Sequence, residues 1–361
     1  MAHHVIEVWG LTKREGDTQA LAGVDLAAPA GTVLGVLGPD GTGKTTGMSR
    51  RAPPGRRGNI VGGVTAPDLP EAPATGPEDI TAAVVASFAG APDDRLRFLV
   101  ERLVRHLHDF VTETRPTEGE WAAAVDFLTA VGQTCTPARQ EMVLLSDTLG
   151  VSMLVDLLNH DGETGATEST VLGPFYVPGS PLREMGTSIA EAGGSGDPAR
   201  VSGTVLDGSG LPVGGALLDV WQNAASGKYA VQDPDQPEGN LRGRFVTAAD
   251  GRFTFWAVRP TDYQIPDDGP VGRLLAATGR HPWRPAHLHL RASAPGCRPL
   301  VTHLFDAESP HLGDDTVFAV KPSLVCHYVR HDAGEPGTPE GWAGAWYTLE
   351  RDLVLARHAV P

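Results

Sequence analysis

Apolar residues recur at spacings of three and four through Leu96, Leu99, Val100, Leu103, Val104, Leu107 and Val111, which predicts a helix with one continuous apolar face. The period alone leaves open whether that face meets the protein's own core or another surface. A second helix is expected from Thr117, because Glu120 completes a capping-box pair three residues on, ahead of Trp121, Val125 and Leu128. A third is expected over roughly Arg139 to Leu158. After Asn159 the period shortens to two in the runs ARVSGTVLD, ALLDVWQN, GRFVTA, GRFTFWAV, AHLHLRA and LVTHLF, separated by Gly, Pro and Asp turns. Those runs predict an antiparallel β-sandwich. Upstream, the stretch from Arg50 to Glu78 is rich in Pro, Gly and Ala and poor in large apolar side chains, so it reads as a linker. The pattern therefore gives an N-terminal segment 1–50, a linker 51–78, a helical domain 79–160 and a catalytic-type β domain 161–361. The fold class is mainly β, with an all-α region ahead of the sandwich.

Composition narrows the function. The formal net charge of -15 over 361 residues disfavours a nucleic-acid partner, which needs clustered Lys and Arg. Arg50, Arg51, Arg56 and Arg57 stand in the Pro/Gly linker and read as solvated charge. Cys135, Cys297 and Cys326 show neither a disulfide framework nor metal-ligand spacing. No apolar run reaches about 18 residues, and Met1 to Glu7 lacks the order of a signal peptide. A soluble cytoplasmic enzyme without membrane insertion is the expectation.

The chemistry concentrates at Arg284-Pro285-Ala286-His287-Leu288-His289. Side chains two apart on a strand share a face, so His287 and His289 can meet one metal ion. His106 and His108 have the same spacing on a predicted helix, where two residues turn through about 200° and the rings diverge. Spacing alone leaves metal binding and a structural role for His287 and His289 equally open. Asp219 reads as structural support and Trp221 as core, while Tyr176, Tyr328 and Tyr347 read as rim aromatics with bonded hydroxyls.

From Ser169 to Val329 the chain resembles the intradiol ring-cleaving dioxygenases. The resemblance rests on GPFY at 173–176, VSGTVLDGSGLPVGGALLDVWQNAASGKY ending at Tyr229, RGRF at 242–245, DYQIPDDGPVG around Tyr263, GRHPWRPAHLHL, VTHLFD and VFAVKPSLV, in that order. It implies one iron(III) per subunit, held by Tyr229, Tyr263, His287 and His289. A phenolate is a hard anionic donor suited to a hard ferric ion, and the cation itself must ionise a phenol whose pKa is ordinarily near 10. The resemblance further implies catalytic roles for Tyr263, which leaves the metal as a base when the ring's two oxygens bind, and for Arg284, which faces the ring. Both atoms of dioxygen then end in a dicarboxylate.

Within the family, LLSDTLG with EWAAAVDFLTAVG and RHLHDFVTE before it is similar to the hydroxyquinol-cleaving branch. That branch implies substrate contacts from Leu144, Asp147, Gly173, Pro174, Phe175, Ile265, Arg284 and Val317, with Asp147 accepting a hydrogen bond from a third ring hydroxyl. Catechol or chlorocatechol cleavage is the alternative. Gln264 departs from the proline that often follows the metal tyrosine in this branch. The resemblance also implies a homodimer through the helical region, in some members with a phospholipid at the interface.

The segment IEVWGLTKREGDTQALAGVDLAAPAGTVLGVLGPDGTGKTT resembles the opening of an ABC-transporter ATP-binding subunit, with Gly38, Gly43, Lys44 and Thr45 in a P-loop pattern. A P-loop must open a helix, yet Pro53-Pro54 follows within a few residues, and an interior proline costs a helix about 3 kcal/mol. The segment therefore reads as a truncated P-loop remnant without ATP hydrolysis. Of two other classes, an ATP-binding protein with an appended sandwich is opposed by the missing ATPase elements, and a metal-free binding module by the joint presence of the four metal-type residues.

Overall fold

The computed structural model describes residues 4–15, 18–29, 76–160, 165–191 and 196–358, the first two stretches as backbone only. The chain divides into two compact units, Met1–Ala89 and Gly90–Pro361. In the first, strands β1 (His4–Glu15) and β2 (Thr18–Pro29) pair antiparallel, and helix α1 spans Pro77–Ala86.

The second unit begins with helices. The amphipathic stripe folds as α2 (Asp94–Thr114), started by the Asp93 carboxylate accepting from Leu96 N–H at 2.9 Å and ended by Arg115 in the left-handed region. Helix α3 (Glu118–Thr134) carries the expected capping box: Glu120 N–H donates to Thr117 Oγ1 at 3.2 Å, and Thr117 N–H donates to Glu120 Oε2 at 2.7 Å. The third expected helix is instead two, α4 (Glu141–Thr148) and α5 (Val151–Asn159). Gly150 between them takes φ 73°, a conformation that ends a helix and costs only glycine little. The break lets α4 bury Glu141, Leu144, Leu145, Asp147 and Thr148.

The β region holds two five-stranded sheets, and both are mixed rather than purely antiparallel. The first runs β11 (Val325–Cys326), β10 (Leu300–Asp306), β9 (His287–Ser293), β4 (Leu217–Trp221), β5 (Arg242–Val246), with β10 and β11 parallel. The second centres on β3 (Pro198–Asp207), antiparallel to β6 (Arg252–Val258) and parallel to both β13 (Trp346–Glu350) and β14 (Leu353–Leu355), with β12 (Val329–His331) outside β13. Parallel pairs need long crossovers, and the connections that reach β11, β13 and β14 supply them. A short ribbon, β7 (Tyr263–Gln264) with β8 (Trp283–Arg284), and helix α6 (Pro270–Ala277) complete the unit.

Between the sheets lies a core that includes Val201, Leu218, Val220, Phe245, Phe255, Leu288, Leu290, Leu304 and Leu349. Strand alternation then sends His287 and His289 to the opposite, outer face of the first sheet, where register sets Trp221 and His303 on either side of His289. A one-residue slip of β9 would exchange Leu288 and Leu290 for the two histidines, and each buried leucine is worth about 1.5–3 kcal/mol, so the register is firmly set. The outer face is covered by a second apolar cluster that joins Val131 of α3, Leu144 and Leu145 of α4, and Val271 and Leu275 of α6 to Trp221, Tyr229 and Tyr263. No helix among the described residues is long and apolar enough to cross a membrane.

Candidate active site

Four side chains from three places meet under that cover. His287 and His289 come from β9; their Nε2 atoms lie 3.1 Å apart. Tyr229 comes from the loop after β4, and its Oη lies 3.0 Å from His289 Nε2. Tyr263 comes from β7, with its ring edge-on to Tyr229 at 5.5 Å. All four are buried.

Their neighbours fix how each presents itself. The Pro285 carbonyl accepts from His287 Nδ1 at 2.7 Å, which places the proton on Nδ1 and turns the bare Nε2 lone pair inward. His289 stacks on Trp221 at 4.6 Å, and Tyr229 stacks on Phe175 at 4.6 Å. Gly173, with φ 77°, lies so close to His289 that a Cβ there would sit 3.4 Å from its Cε1. Arg284, opposite Tyr263 across the β7–β8 ribbon, aims Nη1 at Tyr263 Oη (3.3 Å) and His287 Nε2 (3.4 Å).

The electrostatics suit a cation. Burial first, and then the Arg284 charge, depresses His287 to about 3. Burial and then His287 push His289 well below the usual histidine range. Both imidazoles are therefore neutral, the form that ligates metals. Burial, followed by the Tyr263 phenol beside it, raises the Tyr229 phenol well above its ordinary value. With no cation to ionise it, that phenol stays protonated; two imidazole nitrogens and two phenol oxygens converging in a dry space are a donor set that fits a hard, highly charged metal ion.

A third imidazole, His303 of β10, belongs to the same cluster and was not singled out by the sequence reading. It is fully buried, with ring centroids 4.2 Å from His289 and 4.7 Å from His287. Its position in VTHLF on an alternating strand was the available signal; the register against β9 was not.

The expected substrate positions surround this centre. Leu144, Phe175 and Ile265 pack in one cluster with Tyr229 and Tyr263, and Val317 packs in an adjoining one with Phe305. Pro174 and Gly173 are half-buried on the loop before Phe175. Asp147, 2% exposed, leaves its Oδ1 without a hydrogen bond, and burial raises its carboxyl pKa. A cavity of roughly 590 Å³ opens beside Phe175, Tyr263, Ile265 and Trp283, with Gln264 and Arg139 at its wall, a size that accepts a single-ring ligand.

His106 is exposed and His108 half-exposed on α2, away from this cluster. A second group, His281, His311 and Asp314, closes on itself: His281 Nδ1 accepts from Trp283 N–H, so its Nε2 carries the proton that faces Asp314 at 3.1 Å. Gly38, Gly43, Lys44 and Thr45 lie outside the described residues.

Comparison with known proteins follows the same division of the chain. A family model described as "Catechol dioxygenase N terminus" matches residues 93–167, and one described as "Dioxygenase" matches residues 171–350. Neither reaches the first fifty residues. A hydroxyquinol 1,2-dioxygenase of Rhizobium sp. is 49% identical over 76% of this chain and 93% of its own. A 6-chlorohydroxyquinol 1,2-dioxygenase of Cupriavidus pinatubonensis is 47% identical over 77% of this chain and 96% of its own. Among solved structures, hydroxyquinol 1,2-dioxygenase from Pseudomonas putida superposes with a TM-score of 0.71 at 48% identity, covering 78% of this chain and 99% of that one. Catechol 1,2-dioxygenase from Pseudomonas arvilla does so at 0.70 and 30% identity, covering 78% and 92%.

Proposed function

Because this chain belongs to the intradiol ring-cleavage dioxygenase family, we propose that it opens hydroxyquinol (benzene-1,2,4-triol) between its adjacent hydroxyl carbons, using one iron(III) per subunit held by Tyr229, Tyr263, His287 and His289. The observation that carries the substrate is Asp147, a buried carboxyl on α4 with one oxygen unpartnered beside the centre. The names of the two relatives above support the same choice. Cleavage of catechol or chlorocatechol is the second reading, favoured by a relative at 42% identity named catechol 1,2-dioxygenase, from Candida albicans.

Iron(III), when bound, would act as a Lewis acid that gathers both ring oxygens and leaves the ring electron-rich toward dioxygen. The protein's residues do the rest. Tyr263 Oη takes a substrate proton, and Arg284 Nη1 at 3.3 Å accompanies that change of charge with a fixed cation. Leu144, Phe175, Ile265 and Val317 wall the ring away from water, with Gly173 and Pro174 shaping the loop that carries Phe175. The product is the dicarboxylate 3-hydroxy-cis,cis-muconate. Initial rates test the reading: hydroxyquinol is expected to exceed catechol by roughly 100-fold or more in kcat/KM, the discrimination a buried polar site gives against a substrate lacking its partner. Comparable values would overturn it.

The helical region supports a homodimer. Leu96, Leu99, Leu103, Leu107 and Val111 are all about half exposed on α2, which buries no residue, so the stripe is not part of this subunit's core. A second copy would cover it, with a phospholipid filling apolar space at the interface. Leu103→Glu with Leu107→Glu is expected to halve the mass seen by light scattering while ring cleavage continues; an unchanged mass would refute the assignment. The three cysteines are unpaired, in keeping with the cytoplasmic location proposed here. Residues 1–50 are proposed to be a truncated ATP-binding subunit that lacks hydrolysis.

A further inference from the structure

One buried guanidinium, that of Arg284, lies beside the centre. Asp315 holds it: Arg284 Nε donates to Oδ1 at 3.0 Å and Nη2 to Oδ2 at 3.3 Å. The same two oxygens accept from Val317 N–H at 3.2 Å and Ala319 N–H at 3.0 Å. Each oxygen thus receives two donors, and the carboxylate is saturated. The loop that aims both amides inward passes through Phe318 at φ 60°, a left-handed conformation that phenylalanine rarely adopts. Arg284 and Asp315 are 2% and 5% exposed.

Asp147 sits in the segment next to that pair, because Arg280 Nη1 donates to the carbonyl of Thr148 at 2.6 Å and Nη2 to the carbonyl of Thr316 at 2.7 Å. After the dominant effect of burial, which raises its pKa, a hydrogen bond with Ser152 and then the Arg284 charge lower it, and Asp315 raises it. Yet Asp147 makes no ion pair with Arg284, and its Oδ1 has no hydrogen bond at all. The two arms of Arg284 nearest Asp315 are spent, and Nη1 faces Tyr263 and His287.

We propose that Asp315 is a positioning residue for substrate discrimination: by binding Arg284 through both oxygens it withholds that cation from Asp147 and leaves Asp147 Oδ1 free for the ring's third hydroxyl. The proposal rests on the hydroxyquinol reading. A carboxylate already paired with Arg284 would have its lone pairs satisfied and would gain little from a substrate hydroxyl. An unpaired Oδ1 gains a bond with that hydroxyl and remains orphaned with catechol, which is how a buried polar site rejects a substrate. Asp315 also carries the Val317 amide, so the same carboxylate ties the cation's direction to the pocket wall.

The test compares kcat/KM on hydroxyquinol and catechol in the whole protein and in Asp315→Asn. An asparagine amide would set N–H against the two donors at one position, so one of the two Arg284 bonds breaks and the neutral amide holds the cation more weakly. The loss on hydroxyquinol is expected to exceed that on catechol by about tenfold, while the visible absorption of the iron-loaded protein persists. In an Asp147→Leu background the same change is expected to leave the substrate ratio unaltered, since no carboxyl remains there to meet the cation. Equal losses on both substrates, or an undiminished effect without Asp147, would overturn the proposal. A parent protein that shows no preference for hydroxyquinol would instead remove the reading on which it rests. Should Asp315→Asn fail to fold, Asp315→Glu keeps the charge and is expected to hold the ratio within about threefold of the parent; a tenfold fall there would count against the proposal equally.

Discussion

Tyr229→Phe is expected to yield a folded protein that stays colourless when supplied with iron. The substitution removes one oxygen and keeps the ring, so the stacking on Phe175 at 4.6 Å and the packing against Tyr263 remain. What disappears is the oxygen proposed to bind the metal, the group that His289 Nε2 faces at 3.0 Å. Tyrosinate bound to iron(III) is the source of visible absorption, so colour and iron content fall together. Turnover should fall by well over 100-fold, because even a partner outside the metal's own ligands is worth about 10- to 100-fold. Elemental analysis and the visible spectrum decide it; coloured protein with undiminished iron would show that Tyr229 is not a ligand.

Asp147→Leu is expected to lower kcat/KM on hydroxyquinol by roughly 100-fold, with a loss on catechol at least tenfold smaller. The size follows from leaving a substrate hydroxyl buried with no partner, about 1–3 kcal/mol, or more where the lost bond had a charged partner. Leucine matches the aspartate in branching, and the site is already walled by Leu144 and Leu145 of the same helix, so the fold should tolerate the change. Matched losses on both substrates would mean that Asp147 supports the pocket without reading the third hydroxyl.

Much of this site could be read from the chain because strand alternation is a strong constraint. A run such as AHLHLRA on a strand must put Leu288 and Leu290 on one side and both histidines on the other, and the structure does so. The Thr117–Glu120 capping box was equally local and equally clear. Long-range features were hidden for a physical reason. His303 lies on the same sheet face, but its place beside His289 depends on the register of β10, which no local pattern encodes. Asp315 follows another aspartate in a polar loop and reads as solvated, 31 positions from the arginine it binds. The single helix expected over Arg139 to Leu158 runs through Gly150, and only the inward turn of α4 breaks it there. The parallel strands β13 and β14 come from short runs near the C-terminus whose partner, β3, lies far away in sequence. Periodicity made α2 amphipathic without saying what its apolar face meets.

Strand β9 has one further consequence. Its hydrophobic anchors and its imidazoles alternate along a single backbone, so the act that closes the sandwich core also delivers the two proposed metal donors, and neither can be misplaced without the other. Competence is then inherited from folding in an all-or-none way. Injury to the inter-sheet core should thin the population of working molecules and leave the survivors at full speed.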